Sequence, residues 1–214
     1  MFKDYDNGTI YKIGYYSSLL TGICVILFAI SIIFSYFTKT IMFSFFVCLF
    51  LSIFYVIMIN ALYSQAATNR KIFGRISLSF SVIYAVYICL VYYTQLTVVR
   101  LGGLSKEVLN IISYTPPGTL FFAIDMLGYT FLALSTFVGA FMFENKGLEG
   151  LIKKLFLIHG SLAIPTFIFP MLPIFENQNS GNNDTSGIFA LLAWCILFAP
   201  ICFLVANYFK IKRG

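Results

Sequence analysis

Charge is scarce in this chain. Lysine and arginine number 14, aspartate and glutamate 8, and histidine 1 in 214 residues, so only 10% are charged. Soluble domains carry about 25% charged residues. With 60% of the chain hydrophobic and a mean hydropathy of +0.90, a water-soluble fold is excluded, because roughly half of its surface would have to be polar. Hydrocarbon makes no such demand, so the composition points to an integral membrane protein.

Other absences narrow the chemistry. There is no C-x-x-C, no zinc-ligand spacing and no H-E-x-x-H. There is no G-x-S-x-G, no P-loop and no pair of acids at one spacing, so no enzyme class is indicated. A single histidine argues against bis-histidine haem, and no lysine falls mid-span to carry a retinal Schiff base. No cofactor and no metal are expected. The net charge of +6 does not indicate nucleic acid, because the basic residues sit at the ends of apolar runs and not in a stripe. The 25 Phe and 14 Tyr read as lipid-facing and interfacial side chains. The five cysteines, Cys24, Cys48, Cys89, Cys195 and Cys202, all lie inside apolar runs and read as small hydrophobes. Cys48 and Cys195 fall at similar depth, so a bridge between them is conceivable, though nothing requires one.

What is there is apolar length. A helix needs about 20 apolar residues to cross about 30 Å of hydrocarbon. Six stretches qualify: residues 13–37, 41–63, 76–99, 117–143, 151–174 and 188–209. The first is too long and wrongly flanked for a cleavable signal. The expectation is an all-α bundle of six transmembrane helices in a single transmembrane domain over residues 1–214. Eleven of the 14 basic residues fall on the side of the two termini, which predicts both termini inside. The setting is a cell membrane, and compactness suggests a bacterial plasma membrane. No internal repeat is visible.

The loops differ in kind. "TKT" between spans one and two makes a tight hairpin. The outer loop over residues 100–116 opens on Gly102-Gly103. It then carries Leu104, Val108, Ile111 and Ile112 on one face, as a short amphipathic helix on the membrane surface would. Thr115 is placed to cap span four, with Pro116 and Pro117 in its first turn. Residues 175–187 form a polar, flexible loop with a sequon at Asn183.

Helical periodicity then assigns faces. On span four, Phe121, Gly128, Tyr129, Leu132, Ser135, Thr136 and Gly139 lie within about 80° of Asp125. Leu127, Phe131, Leu134, Val138 and Phe141 lie opposite and are expected against lipid. Asp125 therefore points into the bundle. Gly14, Ser18 and Gly22 on span one, and Ser77, Ser81, Ala85 and Cys89 on span three, form small-residue seams. Span five carries His159-Gly160 and then Pro165, Pro170 and Pro173. These prolines release the carbonyls of Ser161, Thr166 and Phe169 from the helix ladder. Pro200 does the same to Ile196 in span six.

Depth completes the reading. Asp125 lies about 15 Å below the outer end of span four and His159 about 12 Å above the inner end of span five, so they are nearly level. Tyr84 and Tyr87 fall at similar height, Gln95 nearer the outside, Asn60 near the inner end of span two and Arg100 at the outer rim. A mid-membrane aspartate either stays neutral and donates a hydrogen bond, or pairs with a cation. His159 is the level candidate, and an Asp125–His159 pair would exchange a proton near neutral pH. The expected site, for ligand binding or proton relay, is Asp125, His159, Tyr129, Gln95, Tyr87 and Arg100. Two functions fit. One is binding or transport of a small apolar or protonatable ligand. The other is a non-catalytic partner or assembly subunit whose seams contact another membrane protein and whose polar core is structural. Beyond the lipid bilayer, the partners expected are that small hydrophobic ligand or that membrane protein, not nucleic acid.

Overall fold

The computed structural model describes residues 7–38, 40–114, 118–172 and 185–213, and every regular element among them is helical. Helix α1 spans Asn7–Thr38, α2 Met42–Gln65, α3 Lys71–Thr94 and α4 Lys106–Ile112. Helix α5 spans Leu120–Gly139, α6 Gly147–Gly160, α7 Ala163–Ile168 and α8 Thr185–Arg213. Among the described residues, six stretches are long and apolar enough to cross a bilayer: Asn7–Thr38, Met42–Gln65, Thr68–Val99, Leu120–Met142, Gly147–Met171 and Gly187–Arg213. They correspond one to one with the six apolar runs. Several helices overrun the run that announced them, because hydropathy marks hydrocarbon thickness while helical hydrogen bonding continues into the interface.

The helices pack in chain order around a closed ring. Helix α1 lies against α2 and α8, α2 against α3, α3 against α5, α5 against α6 and α7, and α6 against α8. Both small-residue seams are occupied within the chain. A Cβ on Gly14 would meet the Phe209 ring at 2.5 Å, and one on Gly22 would meet Phe203 at 3.0 Å, so the α1 seam receives α8. On α3, Ser77 meets Ser135 of α5, and Cys89 reaches Ser52 of α2. Phe34, Phe37, Leu101 and Ile196, among others, stay exposed, and such a surface suits lipid.

Buried hydroxyls are satisfied locally. Ser18, Thr21 and Ser31 each donate to a carbonyl three or four residues back. A few tie helices together. Ser31 and Ser44 hydroxyls lie 2.7 Å apart across α1 and α2. Ser77 Oγ donates to the Ser135 carbonyl at 2.7 Å, and Ser135 Oγ donates back to the Ser77 carbonyl at 2.8 Å. Tyr55 adds a bond to Ser135 at 2.9 Å.

Several expectations are corrected. Helix α5 is capped by Thr119, whose hydroxyl accepts from Phe122 N–H, after Gly118 at φ +97. The proposed cap Thr115, with Pro116 and Pro117, lies outside the described residues, as does most of the 175–187 loop. Cys48 and Cys195 are free buried thiols, not a bridge. Phe131 turns from lipid toward α3, where the Phe80 and Tyr87 rings cover it at 5.8 and 5.9 Å. The fifth crossing breaks at Ser161–Leu162, between α6 and α7. The carbonyls freed by its prolines find short-range donors: Ser161 accepts from Ile164 N–H and Phe169 from Leu172 N–H.

Candidate functional site

Gly128 sets the site. A Cβ there would stand 3.2 Å from Tyr87 Cβ and 3.3 Å from Ile88 Cδ1, so α3 and α5 run close at this level. The approach brings one face of α3 (Tyr84, Ile88, Val91, Tyr92 and Gln95, all buried) toward Asp125. These residues are three or four apart or adjacent, as a helical face requires. Tyr87 touches Gly128 through its Cβ but packs its ring on Phe131, and Tyr92 is the tyrosine of α3 whose hydroxyl faces Asp125.

Asp125 is 1% exposed. The hydroxyls of Tyr92 and Tyr114 face its carboxyl group. Tyr92 and Tyr129 hydroxyls lie 3.1 Å apart, and the Tyr129 hydroxyl lies 3.8 Å from Cys48 Sγ. The carboxyl, three phenols and one thiol therefore form a contiguous polar cluster, walled by the rings of Phe45 and Tyr84. Two of its atoms stand apart. Asp125 Oδ1 and the Tyr84 hydroxyl oxygen are buried without a hydrogen-bond partner. Buried polar atoms are nearly always paired, so two orphans in one cluster call for an explanation.

The remaining sequence-derived residues separate into three places. Gln95 begins a π-helical turn, Gln95–Val99, at the end of α3. Its side-chain amide donates to the Ile112 carbonyl at 2.7 Å and accepts from Tyr114 N–H at 2.9 Å. Gln95 thus belongs to the site through Tyr114. Arg100 is exposed beyond the π turn. The recorded ion pairs of the described residues, Arg70–Glu144 and Lys212–Glu149, both lie at the face bearing the chain termini, and Asp125 is in neither.

His159 is not the partner of Asp125. Its Nδ1 lies 2.8 Å from Thr136 Oγ1, and its Nε2 accepts from Trp194 Nε1 at 3.0 Å. The ring also stacks on Phe198 with centroids 4.5 Å apart. The two are not level either: Thr136 stands eleven residues along α5 from Asp125, roughly 16 Å at 1.5 Å per residue, and α6 turns the imidazole toward α8. An ionised Asp125 would therefore have neither counter-ion nor a donor on Oδ1, which carries the cost of any unpaired buried charge.

Three contributors were missed: Tyr114, Trp194 and Cys48. Trp194 was legible. It is the only tryptophan, it sits mid-span, and a buried indole N–H needs an acceptor. Tyr114 carries no periodic signal, because it belongs to the connection and is brought in by Gln95. Two surface pockets lie elsewhere, at the face bearing the termini, around Tyr208, Glu144, Glu149 and Lys212. Comparison with family models, with curated proteins and with solved structures gives no match.

Proposed function

We propose that this chain is a membrane bundle that binds, and in moving it would expose to either side, a small protonatable or cationic ligand at Asp125. The reading keeps the acid as the essential group and replaces His159 with a tyrosine cage. The supporting observation is the pair of orphan atoms, Asp125 Oδ1 and Tyr84 Oη, in a single buried cluster. A donor ligand such as an ammonium group would satisfy Asp125 Oδ1, and tyrosine faces favour cations. The basic face would lie in the cytoplasm, leaving the Asp125 cluster in the outer half. Short loops suggest a bacterial plasma membrane. The assembly-subunit alternative loses its stated surface, since both seams are filled by this chain's own helices.

The test uses the purified protein. Native mass spectrometry of wild type and Asp125→Asn from the same membranes reports any bound small molecule. Heat stability is then followed against Na+ and a series from ammonium to tetramethylammonium. The proposal expects a bound species or a stabilising cation that the variant does not recognise. A wild type that carries nothing and gains nothing from any of these probes ends it.

A further inference from the structure

The Asp125 cluster is closed on the side away from the termini by the connection between α3 and α5. Tyr114 is its inward contact. The ring packs on Phe45 at 5.3 Å, Tyr92 at 6.2 Å and Phe122 at 5.9 Å, with its hydroxyl toward Asp125. Helix α4, which precedes Tyr114 in the connection, touches α5. Its packing is shallow: Val108 and Ile111 remain exposed, and no residue of α4 is buried.

Three features set this segment apart from an ordinary loop. First, among the described residues its backbone hydrogen bonds to the spans both go to one side chain, Gln95. The carboxamide engages Ile112 C=O and Tyr114 N–H together, as a neighbouring strand would. Second, Gln95 opens a π turn, in which the Arg100 N–H reaches back to the Gln95 carbonyl. Such turns interrupt α-helices at local expense and recur where a helix serves a site. Third, the segment is preceded by Gly102 at φ +74 and Gly103 at φ +86, and nothing lies within 4 Å of a Cβ built on either. Two unpacked glycines in the left-handed region make a pivot.

We propose that residues 104–114 form a removable cover over the Asp125 cluster, held shut by the Gln95 side chain, so that Gln95 is the positioning residue that both seats Tyr114 and controls access from that face. Release of these two hydrogen bonds, with Tyr114 withdrawn from Phe45, Tyr92 and Phe122, lets the segment swing about Gly102–Gly103. Tyr114 leaves with it, and the carboxyl is uncovered to water. This rests on the reading of Asp125 as the site, yet it is tested without any ligand, so either can fail alone.

Two measurements decide it. Amide exchange by mass spectrometry is compared for the wild type, Gln95→Ala and Gln95→Glu. Gln95→Ala is expected to speed exchange across 104–114 by about tenfold while the spans keep their protection. Gln95→Glu, which retains the acceptor for Tyr114 N–H, is expected to lie between. Equal exchange in all three would overturn the proposal, and so would faster exchange throughout the bundle, which would make Gln95 a general support. The second measurement places cysteine at 125 in a background with the native cysteines replaced. Reaction with a membrane-impermeant thiosulfonate added from the outside is expected to be slow with Gln95 present and about tenfold faster with Gln95→Ala. Equal rates would show that the segment does not control access. The exchange experiment keeps its native cysteines and stands if this second protein fails to fold.

Discussion

Trp194 Nε1 lies 3.0 Å from His159 Nε2 and donates to it. An indole nitrogen can only donate. The imidazole must therefore accept at Nε2 and carry its proton on Nδ1, which donates to Thr136 Oγ1 at 2.8 Å, while the Thr136 hydroxyl donates to the Ala133 carbonyl at 2.9 Å. His159 is thus a neutral ring with both nitrogens used, joining the fourth, fifth and sixth crossings.

Replacing Trp194 by Phe strands Nε2 in a dry environment. A loss of about 1–3 kcal/mol is expected, seen as a lower unfolding temperature in detergent. Replacing His159 by Phe as well removes both partners, and the double variant is expected to recover part of the loss. A double variant worse than the sum of the singles would contradict this account of the pair.

Gly160 and Gly14 offer a contrast in close packing. A Cβ on Gly160 would stand 2.5 Å from Phe137 Cβ and 2.6 Å from its Cα, so relief requires α5 and α6 to separate. The nearest atoms to a Cβ on Gly14 belong to the Phe209 ring, a side chain that can give by a small shift where backbone cannot. Gly160→Ala is expected to destabilise by about 3 kcal/mol or more and Gly14→Ala by about 1 kcal/mol. Thermal unfolding of the two purified variants ranks them, and the reverse order would refute the argument.

The reciprocal bonds between Ser77 and Ser135 join α3 to α5 directly below the Asp125 cluster. Interhelical hydrogen bonds in bilayers average about 0.6 kcal/mol. Each single alanine substitution is expected to cost about that much or slightly more. Ser135→Ala should be the worse, because it also strands the Tyr55 hydroxyl. A double-mutant cycle should return a coupling near the same size.

Acid should loosen the cover. The Ser105 hydroxyl and the backbone amide at Glu107 hold the Glu107 carboxyl below its ordinary value of 4.5. A lowered folded value means that the support is present above that pH and lost as pH falls through the carboxylate range. Amide exchange over 106–112, corrected for intrinsic rates, is expected to accelerate below about pH 4 in the wild type and to lose this dependence in Glu107→Gln. An identical acid response in both proteins would remove Glu107 from the account.

The six crossings were legible because lipid imposes one rule on every residue it touches, and apolar length records it. The inward face of α5 was legible for a related reason: Asp125, Gly128, Ser135 and Gly139 recur at helical spacing. Azimuth between helices was not. Nor was depth: counting from the span ends puts Asp125 and His159 level, yet the imidazole bonds Thr136, eleven residues along α5 from Asp125, and meets α8. Tyr87 and Tyr92 differ only by rotation about α3, which the close approach at Gly128 decides. Tyr114 comes from a connection whose position depends on a single glutamine in another element, and such contacts leave no periodic trace.

The ring closes where α1 meets α8, so the first of the six described crossings is mated with the sixth. During synthesis the glycine stripe of α1 must remain without its proper neighbour until the other crossings have emerged, which places a long-range step at the end of assembly. Any interruption before Phe203 and Phe209 arrive leaves Gly14 and Gly22 bare to other helices in the bilayer.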